Sequence, residues 1–310
     1  MTGSVAVEQR GNVLIATLSN PPTALMDGEI VVGLLALARR ADADSDVGAV
    51  VLTGDHPTRF VAHFNVAEIL SGAEQAPRLS KQMLRAGLRA TGAALRVPGA
   101  AKLLMRGPFI GAIALETFTQ TLLAIESCSA VWVAALNGDT GGGGCELALA
   151  CDYRFMADGP YSIAQPEIFL GFPPGGGGTQ RLTRLLGAGR ALHMCLEGTP
   201  KTPADALAYG LVDRVVAPER LLEEAVEHAS RLGRRPKTGI GAVKRAVRFG
   251  GSLPLEDGLR LEAGEFLAAI STPDSIEAQR AYVDRTNELG DVPIANPDIR
   301  AAVIERGRFV

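Results

Sequence analysis

Val131-Trp-Val-Ala-Ala-Leu136 is an unbroken apolar run stopped at once by Asn137-Gly138. A run this short and this continuous reads as a strand covered on both faces. Ala49-Val-Val-Leu-Thr-Gly54 has the same form and also ends on glycine. Between these strands lies sequence of helical period. From about Asp27 to Arg40 the apolar positions Ile30, Val31, Leu34, Leu35 and Leu37 recur at helical spacing, and the polar run from Ala41 to Asp46 reads as a loop. Val5 to Leu18 reads as a β-hairpin turning at Arg10-Gly11-Asn12, with Pro21-Pro22 ending its second strand. Strands alternating with helices predict an α/β fold.

The remainder of the chain sets outer limits. With 310 residues, 47% hydrophobic and 21% charged, it can bury a large core and has no disorder-like composition. A formal net charge of -3 gives no reason to expect nucleic acid or an anionic membrane as partner, and Arg234-Arg235-Pro236-Lys237 reads as a solvated helix end or linker. Cys128, Cys145, Cys151 and Cys195 form no C-x-x-C pair and have no zinc-like histidine spacing, so reduced thiols and no metal are expected. Met1 to Val7 does not resemble a signal peptide, and the longest apolar stretches are interrupted by Arg106 and Glu116. A cytoplasmic location without a membrane span is therefore expected. The last 75 or so residues read as helical, with an apolar stripe at Leu255, Leu259, Phe266, Leu267 and Ile270. A second helix is expected to start at Thr272-Pro273-Asp274, with Thr272 as its cap.

Two segments could carry chemistry. Gly141 to Gly144 precedes Cys145-Glu146 and helix-forming sequence. Glycines admit close backbone approach, and a helix start offers unpaired N–H groups that suit an oxyanion. Glu146 lies in that first turn, where a carboxylate also simply complements the helix dipole; alone, the residues do not separate the two roles. Glu167 follows Gln165-Pro166 in an apolar stretch. Buried there, its proton affinity would be raised, as proton transfer requires. Taken alone, an exposed glutamate at a strand end is the simpler reading. A second glycine run, Gly175–Gly178, lacks the G-K-[ST] ending of a phosphate loop.

Read together, the G-G-G-C-E-L-A-x-A-C-D run ending at Asp152, Gln165-Pro166-Glu167, and P-G-x-G-G-T-Q-R-L ending at Leu182 resemble the enoyl-CoA hydratase/isomerase, or crotonase, superfamily in order and spacing. Gly187 to Ala191, Ala204 to Val216 and Ala49 to Gly54 extend the likeness over most of the chain. The resemblance implies a spiral of ββα units over 1–233, with an enlarged insertion around 71–127. It also implies a C-terminal helical region, 234–310, that builds a homotrimer or hexamer. The partner would be an acyl-CoA thioester, and coenzyme A would arrive as part of the substrate, with no separate cofactor. By motif match Glu146 and Glu167 are the catalytic pair, and the backbone N–H groups of Phe64 and Gly143 form the oxyanion hole. Substrate and CoA contacts would involve Ala24, Ala62, His63, Asn65, Val66, Gly142, Pro166 and Gly175.

The sequence departs from the family pattern in two places. Where the family reads F-x-A-G-A-D, this chain reads Phe60-Val-Ala-His63-Phe64-Asn65. If that glycine position needs a left-handed backbone, His63 is strained or the loop differs. Phe64 is expected to line the acyl or thioester pocket beside His63. His63 itself reads as a loop-rim residue before it reads as a third acid/base group. Between Asn65 and Glu146 the chain is also longer than the family pattern. Leu79 to Leu95 and Leu115 to Ile125 look helical, and the segment Leu70 to Ser127, with Leu103, Leu104, Phe109 and Ile110, is expected to cover or extend the acyl site. Packing or subunit contact is the alternative. The leading expectation is an enoyl-CoA hydratase. A double-bond isomerase, a carbon–carbon bond hydrolase and a non-catalytic acyl-CoA binding protein are the rivals.

Overall fold

A computed structural model describes residues 2–95 and 110–310. The hairpin is present: β1 (Ser4–Arg10) and β2 (Val13–Ser19) pair antiparallel around Gly11. Strands β2, β3 (Ala49–Gly54), β5 (Val131–Leu136), β7 (Tyr153–Ala157) and β9 (Arg214–Val216) then run parallel, giving a six-stranded sheet in the order β1-β2-β3-β5-β7-β9. Three short strands, β4 (Arg59–Val61), β6 (Asp139–Gly141) and β8 (Ile163–Ala164), form a second parallel sheet in the order β4-β6-β8. From β3 onward the chain thus repeats one path: a long strand into the large sheet, a short strand into the small one, then a helix.

The apolar runs are continuous because the large sheet is buried on both faces. Leu14, Val50, Leu52, Trp132 and Ala134 point into one core, with α1 (Gly28–Ala43) and α4 (Ile110–Ser127) packed there. The alternate residues Val13, Ile15, Val51, Val131, Val133 and Phe155 point into the other, against Leu221, Ala225 and Ala229 of α9 (Leu221–Gly233). The first helix outlasts the expected boundary: it continues to Ala43, because Ala41 is fully buried in the first core.

The segment before α1 is fixed by one carboxylate. Asp27 Oδ1 accepts the Ile30 N–H at 3.0 Å as the N-cap, while Oδ2 accepts the Gly3 N–H at 2.7 Å and the Asn20 amide at 3.2 Å. Next to it, Met26 pairs with Phe64 in a parallel bridge. The Met26 N–H donates to His63 O at 2.9 Å, and Met26 O accepts the Asn65 N–H at 2.7 Å.

The expected helices at 79–95 and 115–125 are α3 (Lys81–Leu95) and the longer α4; α2 (Val66–Gln75) precedes them. Leu103, Leu104 and Phe109 lie outside the described residues. The C-terminal region is helical, as expected: α10 (Lys237–Arg248), α11 (Leu255–Ile270), α12 (Pro273–Leu289) and α13 (Pro297–Arg306). Thr272 does occupy the cap position of α12 with an extended backbone. Its hydroxyl, however, donates back to Ala269 O at 2.9 Å and caps no N–H of the helix. Helix α10 is anchored to the core through Lys244. Its ammonium donates to Ile125 O and Ala130 O and pairs with Asp152 at 2.8 Å.

Asp27→Ala removes a helix cap and two further hydrogen bonds at a buried position. The expected loss is about 2–3 kcal/mol of unfolding free energy in urea titration; a loss below about 0.5 kcal/mol would contradict this account of the segment.

Candidate active site

The small sheet and the helix that follows it bring the two glutamates together. Gly142, at φ 46°, turns the chain from β6 into α5 (Gly143–Ala150), a backbone conformation that favours glycine. Glu146 is in the first turn of α5 and is 3% exposed. Glu167 opens a 3-10 turn, Glu167–Leu170, directly after β8 and Pro166, and is 8% exposed. This corrects the reading of Glu167 as an exposed strand-end residue. A Cβ placed on Gly142 would stand 3.1 Å from Glu167 Oε1 and 3.4 Å from His63 Cβ. Glu167 and His63 therefore flank the mouth of the same turn that starts α5.

Each carboxylate has polar support. Glu146 Oε1 accepts the Gly178 N–H at 2.8 Å. Its other oxygen fills the space where Gly176 lacks a side chain: a Cβ there would lie 2.6 Å from Glu146 Oε2 and would collide with the Phe118 ring. Burial raises the Glu146 pKa to about 7. The Gly178 hydrogen bond opposes that rise, the nearby Glu167 charge adds to it, and Arg181 opposes it. Burial also raises Glu167, while a backbone hydrogen bond and the nearby His63 pull the other way. With its side-chain amide oriented to donate, Gln165 places its nitrogen 2.9 Å from both Glu167 oxygens.

Two N–H groups lie near this turn. In the parallel bridge, His63 O and the Asn65 N–H bond to Met26, so the N–H and C=O of Phe64 itself point the opposite way. The N–H of Gly143 is one of those that a helix start leaves without an intrahelical acceptor. Among the described residues neither N–H has a hydrogen-bond acceptor. They are close: a Cβ on Gly143 would stand 3.4 Å from Phe64 N. The Phe64 carbonyl is engaged by His63 Nδ1 at 2.8 Å. Such a pair of donors, aimed beside two buried carboxylates, can hold an oxygen on which negative charge develops.

The remaining sequence-predicted contacts divide into two groups. His63 and Gly142 lie beside Glu167, Pro166 directly precedes it, and Ala24, at φ 56°, accepts the Ala62 N–H through its carbonyl. Gly175 lies beside Leu115 of α4, where a Cβ would be 3.5 Å from Leu115 Cδ1. Asn65 and Val66 open α2: the Asn65 side chain caps that helix by accepting the Ala67 N–H, and Val66 begins it. His63 does not take the left-handed conformation; among the described non-glycine residues only Ala24 has a positive φ. Phe64 meets Phe118, from the expected insertion, with ring centroids 5.7 Å apart.

The residue-by-residue reading missed three participants: Gln165, Arg181 and Glu126. Gln165 and Arg181 stood inside the motifs, and Glu126 was one of two acids, with Glu116, on a helix without basic residues. A cavity of about 1140 Å³ lies under the C-terminal helices, and Glu126 and Arg181 are among its lining residues. It is lined by side chains such as Leu149, Val243, Ala278, Tyr282 and Phe309. Neither Glu146 nor Glu167 lines it.

The sequence profile described as enoyl-CoA hydratase/isomerase matches residues 104–289, more than half of the chain. The chain belongs to the enoyl-CoA hydratase/isomerase family. A Rhizobium meliloti protein described as "Probable enoyl-CoA hydratase" is 33% identical over 90% of this chain and 95% of its own length. The short-chain-enoyl-CoA hydratase of Clostridium acetobutylicum is 28% identical over 91% of this chain and 95% of its own. The crystal structure of an enoyl-CoA hydratase from Bacillus anthracis superposes with a TM-score of 0.70 at 25% identity, covering 93% of this chain and 97% of that one. The crotonase-type α/β fold expected from the motifs is therefore the fold of this family member.

A buried acid whose pKa is raised costs stability once it ionises. The penalty from Glu146 is absent below its ordinary value near 4.5 and grows as pH rises. It is complete above about 7. Glu146→Gln should therefore leave stability nearly unchanged at pH 4 and raise it by up to about 3 kcal/mol at pH 8.5. Urea unfolding at the two pH values measures this; equal effects at both would contradict the assigned burial.

Proposed function

We propose that this protein is an enoyl-CoA hydratase, a hydro-lyase that adds water across the 2,3 double bond of an enoyl-CoA thioester. The observation that carries this reading is the convergence of Glu146, Glu167 and the unpaired N–H groups of Phe64 and Gly143 on one turn. Hydration of a conjugated thioester needs a base at the incoming water, an acid at the α-carbon and donors on the carbonyl oxygen.

In this assignment the thioester oxygen lies between the Phe64 and Gly143 N–H groups. Water, deprotonated by Glu146, forms the C–O bond at C3, and electron density moves onto the thioester oxygen as an enolate. Glu167 then delivers a proton to C2, so that H and OH have been added and the two carboxyls exchange one proton in net. A Glu146 pKa of about 7 leaves a large ionised fraction at neutral pH, as a base requires. The upward shift of Glu167 favours the protonated form, as an acid requires. Base, acid and donors all come from the chain itself, and coenzyme A enters as part of the substrate. The reaction so written calls for no separate cofactor or metal.

Assembly and location belong to the same proposal. Helices α11, α12 and α13 bury none of their residues, and Leu255 and Phe266 are 79% and 60% exposed. Apolar surface of this kind is normally covered by a partner, and a homotrimer or hexamer is the assembly that the family resemblance implies; the cytoplasm is the location that the sequence reading favours. No described helix is long and apolar enough to cross a membrane.

Glu146→Gln and Glu167→Gln preserve shape but cannot move protons. Each should slow crotonyl-CoA hydration by about 10²–10⁴-fold or more, while binding of a saturated acyl-CoA survives on the backbone donors. An isomerase would instead lose its activity with Glu167→Gln and keep much of it with Glu146→Gln. Turnover unchanged by either substitution would overturn the hydratase assignment.

A further inference from the structure

Glu146 receives its hydrogen bond from a loop, and that loop is held by an ion pair on its far side. The Gly178 N–H that meets Glu146 begins α6 (Gly178–Leu186), immediately after Gly175-Gly176-Gly177. Glycines give this stretch no side chains with which to fix itself. Arg181, one turn into α6, reaches back so that its Nη1 donates to Gly176 O at 2.7 Å. Its remaining nitrogens form a bidentate pair with Glu126 of α4, at 2.9 Å and 2.7 Å. Both side chains are largely buried, at 13% and 9% exposure. Glu126 is itself held by Arg248 of α10 at 3.1 Å, and Arg248 also binds Asp152 at 3.0 Å.

We infer that Arg181, clamped by Glu126, is a positioning residue for Glu146: it fixes the Gly176 carbonyl, and with it the loop that presents the Gly178 N–H to the carboxylate. A planar guanidinium suits this role because one group satisfies a carboxylate bidentately and a carbonyl at the same time, which an ammonium cannot do in that geometry. Arg181 touches no reacting atom; it acts through the loop. The charged and titratable groups around Glu146 are Glu167 from the turn after β8, Arg181 from α6, Cys195 from α7 (Ala188–Glu197) and its neighbour Cys145. Of these, Arg181 is the one that favours the ionised form. Loosening the clamp removes the Gly178 hydrogen bond, and the loss of that donor favours protonated Glu146.

The role in turnover rests on the hydratase reading; the effect on the carboxylate does not. The test therefore has two readouts on Arg181→Lys and Glu126→Gln, each first checked for native-like circular dichroism. One is carbon-13 NMR titration of labelled glutamate carboxyls, with the Glu146 signal identified by its loss in Glu146→Gln. The other is the pH profile of crotonyl-CoA hydration. In both variants the Glu146 midpoint should move upward. The acid limb of the profile should move up with it, and kcat should fall by about tenfold or more while KM changes little. Arg181→Lys keeps a cation in place, so an upward shift there reports the lost loop geometry rather than lost charge. Should one variant fail to fold, the other decides. Midpoint and acid limb unmoved in a folded variant would overturn the inference. An upward midpoint in a parent protein that hydrates no enoyl-CoA would sustain the positioning role and overturn only the hydratase reading.

Discussion

A carboxylate taken out of water must be hydrogen-bonded, paired or protonated, and Glu146 accepts a hydrogen bond from the backbone N–H of Gly178. Much else in the fold follows from how that donor is supplied. The donor comes from a glycine loop that has no side chains to anchor it. The loop is anchored through Arg181, Arg181 through Glu126, and Glu126 through Arg248 of the C-terminal helices. The chain of contacts links the large-sheet core, the turn that carries Glu146 and α10 in one network. Breaking a buried pair of this kind is costly because it leaves the other charge without a partner. That cost keeps the loop in one place and the carboxylate only partly neutral near pH 7.

The two free N–H groups arise from different rules of backbone pairing. Phe64 is turned away from its bridge partner because its neighbours in sequence make the bridge bonds. Gly143 is free because it begins a helix. Neither depends on a side chain. His63 and Phe64 can therefore replace smaller residues at this loop without removing a donor, and His63 does so with an ordinary backbone. The substitution changes the wall instead: Phe64 now meets Phe118, and the Phe118 ring leaves no space for a Cβ at Gly176 beside Glu146.

The strands of the large sheet were legible because burial on both faces writes itself as an uninterrupted apolar run, as in Val131–Leu136. Helix α1 was legible from its period, and its end was misplaced because the burial of Ala41 depends on packing that the local polar run does not report. Glu146 could be placed in a first turn from the glycines before it. Glu167 could not be placed from its own surroundings. Its burial comes from Gly142, His63 and Gln165, the first two of them distant in sequence, and only the combined motifs linked it to Glu146. The pairing of Arg181 with Glu126 spans 55 positions, and neither periodicity nor composition carries such a partnership. The stripe on α11 was visible as a pattern, and the structure adds that Leu255, Leu259, Phe266 and Leu267 are exposed while Ile270 is half-buried.

The central claim is that the thioester oxygen is held by the backbone of Phe64 and Gly143 between the two glutamates. A crystal structure of the Glu146→Gln protein with bound crotonyl-CoA tests it most directly. The carbonyl oxygen should lie about 2.7–3.1 Å from both nitrogens, with Glu167 facing the α-carbon. An acyl-CoA bound with its thioester elsewhere, for instance in the cavity under the C-terminal helices, would contradict the account.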